Sequence, residues 1–315
     1  MPFTGVNLNP TENIYLIRTA DDLPDELEYY VLYHLLYTGA PFGPGLYYWD
    51  GTELQPLSMP RDFYMEVAKG NIAGHSLVHK FGHNDSVGTT YVPIAQGGIY
   101  RTPQPAAATT LRVKAGNTND TAAGSGAREV TVQGLDETGA LVTEALATAG
   151  LAASAATSAT FIRFFRAWVS DSGTYATQTA GSHAADIVIE NSAGTADWGT
   201  ITATGFPVAQ SEIGAYSVPA GFDAYLLSTI IFTDTAKTTN LIFFRRESIL
   251  DAAAPYDGMR IVFDVTLEGG QTQYKPVSPQ GPFTGPCDLG YMGKIDAGTA
   301  SVHVDFDLLL VDQSI

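Results

Sequence analysis

The last segment of the chain carries the clearest pattern in the sequence. From Ser301 to Asp312, apolar residues occupy every second position. They are Val302, Val304, Phe306, Leu308 and Leu310. Successive side chains of a strand point to opposite faces, so a period of two predicts a β-strand with one buried face. The segment from Met259 to Leu267 has the same alternation. The chain is therefore expected to bury its core between β-sheets.

The length of the chain calls for more than one such unit. A β-sandwich usually takes about 100 residues, and this chain has 315. We predict an all-β fold in which two tandem antiparallel β-sandwich modules, of jelly-roll or immunoglobulin-like type, follow a small mixed N-terminal module. The predicted boundaries are residues 1–72 for the N-terminal module, 73–207 for the first sandwich and 208–315 for the second.

Both predicted sandwiches consist of short apolar runs separated by turn residues. In the first sandwich we expect strands at Thr110–Ala115, Arg128–Gln133, Leu141–Thr148, Phe161–Val169, Asp186–Glu190 and Trp198–Thr204. In the second we expect them at Tyr216–Val218, Phe222–Phe232, Thr239–Arg246, Met259–Leu267, Thr272–Val277 and Ser301–Asp312.

The N-terminal module differs from the rest because it is rich in tyrosine and in acidic residues. Apolar residues between Leu27 and Leu35 follow helical spacing, but the same residues have high β propensity, so both a short helix and a strand are open. Leu46–Leu57 contains Asp50 and Gly51 between two apolar runs, which predicts a β-hairpin.

Aromatic residues with polar tips are the strongest functional signal of this module. Such residues are common at protein interfaces because they bury area and keep a hydrogen-bonding end. We predict an interface, with a packed core as the alternative for part of the set. The residues are Tyr29, Tyr30, Tyr33, Tyr37, Tyr47, Tyr48 and Trp49.

Charge and composition exclude several classes of partner. The charged share is 16%, against roughly 25% in typical soluble domains, and 16 basic against 33 acidic residues give a net charge of −17. A polyanion would be repelled, so we expect no nucleic-acid partner. Cys287 is the single cysteine and cannot form a disulfide within the chain. A signal-peptide pattern and long apolar spans are absent, so we expect no membrane contact and synthesis in a cytoplasm.

Three histidines form the cluster most suggestive of metal binding. His75, His79 and His83 are spaced by four, which suits ligands on a helix. Gly74 and Gly82 bracket the segment, however, and its alternation favours a strand with exposed or packed histidines, or a histidine-lined trimer axis. We expect no metal and no cofactor, and keep these three residues as weak metal candidates.

Other polar groups are weaker candidates for chemistry. Asn117, Asn119 and Asp120 resemble part of a calcium loop, but the bidentate glutamate is missing and a solvated hairpin turn is favoured. Combinations of catalytic residue types occur without the accompanying motifs, so we expect no catalytic residues and no enzymatic activity. They are Ser182 and His183 with Asp186, Cys287 with His303, Asp305 with Asp307, and Asp21 with Asp22.

Several motifs between residues 70 and 315 resemble those of virion structural proteins of tailed bacteriophages. They are Gly74–Gly82, Tyr91–Pro93, Gly97–Gly98, Gly124–Val130, Gly134–Asp136, Phe161–Val169, Tyr216–Gly221 and Phe306–Asp312. The resemblance implies a β-sandwich appendage on the head, neck or tail of the particle, commonly oligomeric. Tyr48–Thr52, followed by Leu57, is similar to small fibre-associated repeats, and a particle-specific anchor in residues 1–70 fits this departure.

We therefore predict a non-enzymatic component of a tailed phage particle that docks through its N-terminal region on the head, as a decoration or vertex protein, or on the neck. Its expected partners are other virion proteins and copies of itself, with a trimer as one arrangement, and its expected location is the virion after assembly in the bacterial cytoplasm. One alternative is a tail fibre or receptor-binding tail protein that stacks host-surface glycans on Trp168, Trp198 and Tyr256. A second is a surface-glycan hydrolase.

Overall fold

The computed structural model describes residues 6–7, 14–17, 32–35, 45–49, 52, 54–57, 62–102, 108–177, 180–203, 208–274 and 279–315. The protein is nearly all β, which confirms the predicted fold class. Contacts divide the chain into two compact units, Met1–Ile72 and Ala73–Ile315. Within the described ranges, no helix is long and apolar enough to cross a membrane.

The N-terminal unit contains one five-stranded sheet, in the order β1-β2-β3-β4-β5. Its strands are β1 (Val6–Asn7), β2 (Ile14–Ile17), β3 (Leu32–Leu35), β4 (Gly45–Trp49) and β5 (Leu54–Leu57). Strands β2 and β3 are parallel, and the other neighbours are antiparallel.

Two N-terminal predictions can be compared with this sheet. The hairpin is confirmed, because Trp49 pairs with Leu54 on either side of the predicted turn. Leu32–Leu35 is a strand, so the helical alternative is wrong for these four residues. A short helix, α1 (Phe63–Ala68), lies near the end of the unit and begins where the Asp62 carboxylate accepts the N–H groups of Tyr64 and Met65.

The larger unit contains two three-stranded sheets that enclose one core. Their orders are β10-β9-β11 and β13-β12-β8, and all pairs are antiparallel. The strands are β8 (Leu111–Ala115), β9 (Ala127–Leu135), β10 (Leu141–Ala147), β11 (Arg163–Ser172), β12 (Ile187–Asn191) and β13 (Asp197–Ile201). All six strands predicted for residues 73–207 are therefore confirmed, with shifts of a few residues at their ends.

An eight-stranded sheet forms the rest of this unit and has its own core. Its strands are β6 (His75–Val87), β7 (Val92–Pro93), β14 (Ala215–Val218), β15 (Phe222–Arg246), β16 (Arg260–Tyr274), β17 (Gln280–Thr284), β18 (Cys287–Ile295) and β19 (Ala300–Asp312). The alternating apolar residues of β19 are buried, as predicted. Strands β6 and β7 precede the predicted boundary at residue 207 in the sequence, yet they pair with β19 and β18.

The sheet folds onto itself because β15 runs through two layers. Its first half pairs with β19 and its second half with β18 on the same side, with a bulge between Thr233 and Thr238. The ring of Phe243 on the second half lies 5.7 Å from the ring of Phe306 on β19, in an edge-to-face contact. The two halves of one long strand thus cover the same core.

In the eight-stranded sheet, the number of strands differs from the number predicted from the sequence. Phe222–Phe232 and Thr239–Arg246 were expected as separate strands, but the bulge lets β15 continue through the residues between them. Strand β16 likewise joins two predicted strands as far as Tyr274. Strand β18 was not predicted, because it is buried on both faces and so lacks the alternation that marks a half-buried strand.

Candidate functional site

The three predicted histidines lie on β6, which pairs with β19 on one side and is the last strand of its sheet. Four residues of a strand span about 13 Å, so neighbouring histidines of the set do not converge on one point. Each has its own contact: His75 Nδ1 lies 2.8 Å from the Ala73 carbonyl oxygen and His79 Nδ1 lies 2.9 Å from Asp307 Oδ1. In the described part of the chain, no three histidine, cysteine or acidic residues are placed to hold a metal.

His83 instead forms a pair with His303 across β6 and β19. The two rings are stacked, with centroids 3.8 Å apart. Nδ1 of His83 lies 3.2 Å from Glu212 Oε2, and its Nε2 lies 2.8 Å from both Asp85 Oδ1 and Ser301 Oγ. Sequence analysis singled out both histidines, but in separate clusters, and nothing in the sequence indicates that they meet.

The two rings of this pair have opposite tendencies to bind a proton. The hydrogen bond to Glu212 raises the pKa of His83 above its usual value, aided by the negative charges of Asp85 and Asp234. Burial lowers the pKa of His303, and the positive charge of His83 lowers it further. The arrangement therefore favours one proton on His83 and a neutral His303.

A groove of about 590 Å³ lies between the β6 edge and strands β9, β10 and β11. Leu77 and His79 line it from β6, and Arg166 and Trp168 line it from β11. Amide side chains and further apolar residues complete the lining. These residues include Gln133, Leu141, Gln210 and Tyr216.

Two cations connect β6 to β11 at this groove. The Lys80 ammonium is buried and donates to the Phe165 carbonyl oxygen at 2.5 Å, and Arg166 Nη2 donates to the His79 carbonyl oxygen at 2.7 Å. Burial lowers the pKa of Lys80 well below its usual value, and the neighbouring Arg166 charge lowers it further. These bonds tie β6 to β11, because each links a side chain of one strand to the backbone of the other.

The segment that resembles part of a calcium loop, predicted as a solvated hairpin turn, has a structural role for its acidic member. Asp120 is fully buried, so the prediction that this turn is solvated is wrong for Asp120. Its Oδ1 accepts the N–H groups of Ala127 and Ala184 at 2.9 Å, and its Oδ2 accepts that of Ala185 at 3.2 Å. The carboxylate thus joins its own loop to two other stretches of backbone, the start of β9 at Ala127 and the consecutive residues Ala184 and Ala185.

The residue types considered for catalysis have ordinary packing partners. Ser182 and His183 are buried, and Nε2 of His183 lies 3.1 Å from the Thr202 carbonyl oxygen. Asp186 Oδ1 accepts the Ala203 N–H. Burial raises the pKa of the Cys287 thiol to about 12, so the thiol is protonated near neutral pH.

The predicted carboxylate pairs are divided between described and undescribed parts of the chain. Asp305 and Asp307 lie on the outer face of β19. Asp307 Oδ1 contacts Nδ1 of His79, and its Oδ2 accepts the Ser228 hydroxyl at 2.6 Å. Burial raises the pKa of Asp305. Asp21 and Asp22 lie outside the described residues.

The predicted aromatic interface is described in part. Tyr47 is 8% exposed, whereas Tyr48, next to it on β4, is 39% exposed. Tyr33 and Trp49 lie on β3 and β4. Tyr29, Tyr30 and Tyr37 lie outside the described residues. Strand β4 therefore contains one aromatic residue that is packed, Tyr47, and one that is exposed and available for an interface, Tyr48.

The three aromatic residues expected to stack on sugars are not brought together. Trp198 is 3% exposed and belongs to the core between the small sheets. Trp168 is half-buried in the groove beside β6, whereas Tyr256 lines a separate cavity with Arg246 and Asp257. The expectation is therefore wrong for Trp198, since a buried indole cannot stack on a ligand, whereas Trp168 and Tyr256 remain accessible at separate places.

Comparison with known proteins identifies no family for this chain. No protein-family model matches it, and no curated protein matches it. Among solved structures, a chain in the structure of infectious bursal disease virus, Gx strain, is 11% identical to this chain with a TM-score of 0.18. The match covers 82% of this chain and 80% of the viral chain. The VP2 subviral particle of infectious bursal disease virus is 11% identical with a TM-score of 0.17, over 70% and 79%. TM-scores this low do not show a shared fold, so the likeness carries no argument.

Proposed function

We propose that the chain is a non-enzymatic structural component of a tailed phage particle, docking through its N-terminal unit and exposing the larger β unit. The observation that carries the proposal is the division of the chain into a small unit with its own sheet and a larger all-β unit. This arrangement has the layout that the motif resemblance implies, in which an anchor precedes sandwich domains.

Surface chemistry supports the same proposal. A charged share of 16% leaves a surface with few ion pairs, and the net charge of −17 disfavours binding to packaged nucleic acid. Sheets with open edges are prone to pair with other chains, and pairing within a particle protects them. We propose a position on the head or neck, an oligomer of identical chains with a trimer as one arrangement, and assembly in the bacterial cytoplasm.

Incorporation into particles tests the docking role. We expect tagged full-length protein to co-purify with particles and a chain lacking residues 1–72 to remain unincorporated. Tyr48→Asp should reduce incorporation about tenfold, because an interface would have to bury a new charge. Tyr91→Asp is the matched control, since Tyr91 in the larger unit is 40% exposed against 39% for Tyr48.

Incorporation of the truncated chain at the full-length level would contradict the anchor. The two alternatives have their own outcomes in the same preparation. Binding of purified protein to host cells would favour a receptor-binding tail protein, and release of reducing ends from host polysaccharide, lost on a single carboxylate substitution, would establish a hydrolase.

A further inference from the structure

Strand β6 has an open edge beside the groove, and the phase of its hydrogen bonds shows which groups face outward. From His75 to Asn84, the pairs of β6 and β19 have residue numbers that sum to 386, as in Val78 with Leu308. The Asp312 N–H donates to the Gly74 carbonyl oxygen within this series, so the even-numbered residues of β6 bond to β19. The His79 carbonyl, which points away from β19 to Arg166, confirms that the odd-numbered residues face the edge.

Leu77 and His79 are the odd-numbered residues of β6 that line the groove, and the His79 carbonyl is already bonded to Arg166. By the phase of the β6–β19 ladder the backbone N–H and C=O of Leu77 point away from β19, and they make no other backbone hydrogen bond with a described residue. The residue is 39% exposed. Native edge strands are usually protected by an outward lysine, a proline or a bulge. Here the lysine of the strand, Lys80, is buried on the inner side instead. The edge at Leu77 is therefore able to pair with another backbone.

The charge of the groove selects the partner. Arg166 is the cation of the lining, and the described lining residues include no carboxylate, on a chain whose net charge is −17. The nearby Asp307 is already engaged by His79 and Ser228. Arg166 uses Nη2 for the His79 carbonyl, which leaves other N–H groups of the guanidinium for a ligand. A carboxylate is the group that such a fork binds best.

We propose that this groove binds an extended acidic peptide segment of another polypeptide, which adds a strand to β6 at Leu77 and places a carboxylate on Arg166. The apolar side chains of the segment pack on Trp168 and Leu141, whose positions flank the β6 edge. The mode of recognition is β-strand addition, with backbone bonds for affinity and the groove for specificity.

Peptide titration of the isolated full-length protein tests this proposal without reference to any particle. The probe is fluorescein-Gly-Gly-Thr-Val-Asp-Val-Thr-Val-Ser-amide, with the dye on the N-terminal amine. We expect it to bind about tenfold more tightly than the copy with asparagine in place of aspartate, because a charge-assisted bond to Arg166 is lost. An N-methylated copy, which keeps every side chain but lacks the pairing N–H groups, should bind at least tenfold more weakly.

Substitutions locate the binding on β6 and Arg166. Leu77→Pro removes one outward N–H and should weaken binding about three- to tenfold, whereas Leu77→Ala keeps that N–H and should have a smaller effect. Arg166→Gln should abolish the preference for aspartate over asparagine. Arg128→Gln is its control, because Arg128 also donates to a backbone carbonyl, that of Gly124, away from the groove.

The proposal is overturned if the aspartate peptide shows no saturable binding up to millimolar concentration, or if its N-methylated copy binds equally well. Because both measurements use the wild-type protein, they hold even if Leu77→Pro fails to fold. Displacement of the probe by tri-galacturonate, together with equal binding of the N-methylated copy, would assign the groove to acidic glycans instead. Failure of this test leaves the particle-incorporation test of the proposed function unaffected.

Discussion

At the scale of single residues, the His83–His303 pair ties the stability of the β6–β19 contact to pH. The pKa of His83 is raised by Glu212, Asp85 and Asp234, so the folded protein holds its proton more tightly than the unfolded chain does. The protonated His83 therefore contributes to the free energy of unfolding. This contribution is complete below the usual histidine pKa and is lost as the pH rises through the raised pKa of His83 in the folded protein. The lowered pKa of His303 acts in the opposite sense and opposes folding as pH falls.

We predict that His83→Gln lowers the free energy of unfolding more at pH 6 than at pH 8.5. The reason is that the glutamine cannot carry the proton that Glu212 and Asp85 stabilise. His303→Gln should instead improve stability at pH 5 relative to pH 8. Urea unfolding at each pH, followed by tryptophan fluorescence, measures both effects. Equal losses for His83→Gln at the two pH values would show that the ring acts only through packing.

At the scale of elements, β6 is held in place by a close backbone approach on its inner face. A Cβ added to Gly82 would lie 2.2 Å from the Gly214 backbone nitrogen and 2.3 Å from the Ile94 carbonyl oxygen. Backbone atoms of neighbouring segments cannot move aside as a flexible side chain can. Glycine at position 82 is thus required by the distance between β6 and the segments behind it.

We predict that Gly82→Ala lowers the free energy of unfolding by at least about 2 kcal/mol, because the methyl group overpacks this contact. The matched control is Gly88→Ala, just beyond the end of the same strand, where an added Cβ meets nothing within 4 Å. That control should change stability by less than about 0.5 kcal/mol. Similar losses for both variants would mean that the close approach does not limit the position of β6.

At the scale of the larger unit, a buried ion pair links two sheets. Arg163 on β11 and Asp288 on β18 are both fully buried, with Nε of the arginine 2.9 Å from Oδ1 of the aspartate. Ser217 donates to the same oxygen at 2.8 Å, and Nη1 of Arg246 lies 3.5 Å from Oδ2. The pair therefore joins the β10-β9-β11 sheet to the eight-stranded sheet through charged groups removed from water.

We predict that Arg163→Met costs about 3–5 kcal/mol, because it leaves the Asp288 carboxylate buried without its main partner. The double variant with Asp288→Leu should recover part of that loss, since it removes the second buried charge as well. Denaturant unfolding of the two single variants and the double variant forms a complete cycle. Strictly additive losses would show that the two side chains do not stabilise each other.

Local pattern was enough for much of the fold. The alternation of Val302, Val304 and Phe306 predicted β19, and the Asp50-Gly51 pair predicted the β4–β5 hairpin, because period and turn chemistry depend on adjacent residues. Strand β18 escaped prediction because burial on both faces removes the alternation. The continuity of β15 also escaped it, since a bulge between Thr233 and Thr238 resembles the end of a strand when only the sequence is considered.

The sequence by itself determined the all-β class, the positions of most strands and the shortage of charged groups. The tertiary structure decided which strands are neighbours, and with that the stacking of His83 on His303 and the groove between Leu77 and Arg166. The physical reason is that the alternation of apolar side chains shows which face of a strand is buried. It contains no information about which strand will be its hydrogen-bonded neighbour. Pairing of β6 with β19, more than 200 residues later, depends on the closing of the whole sheet.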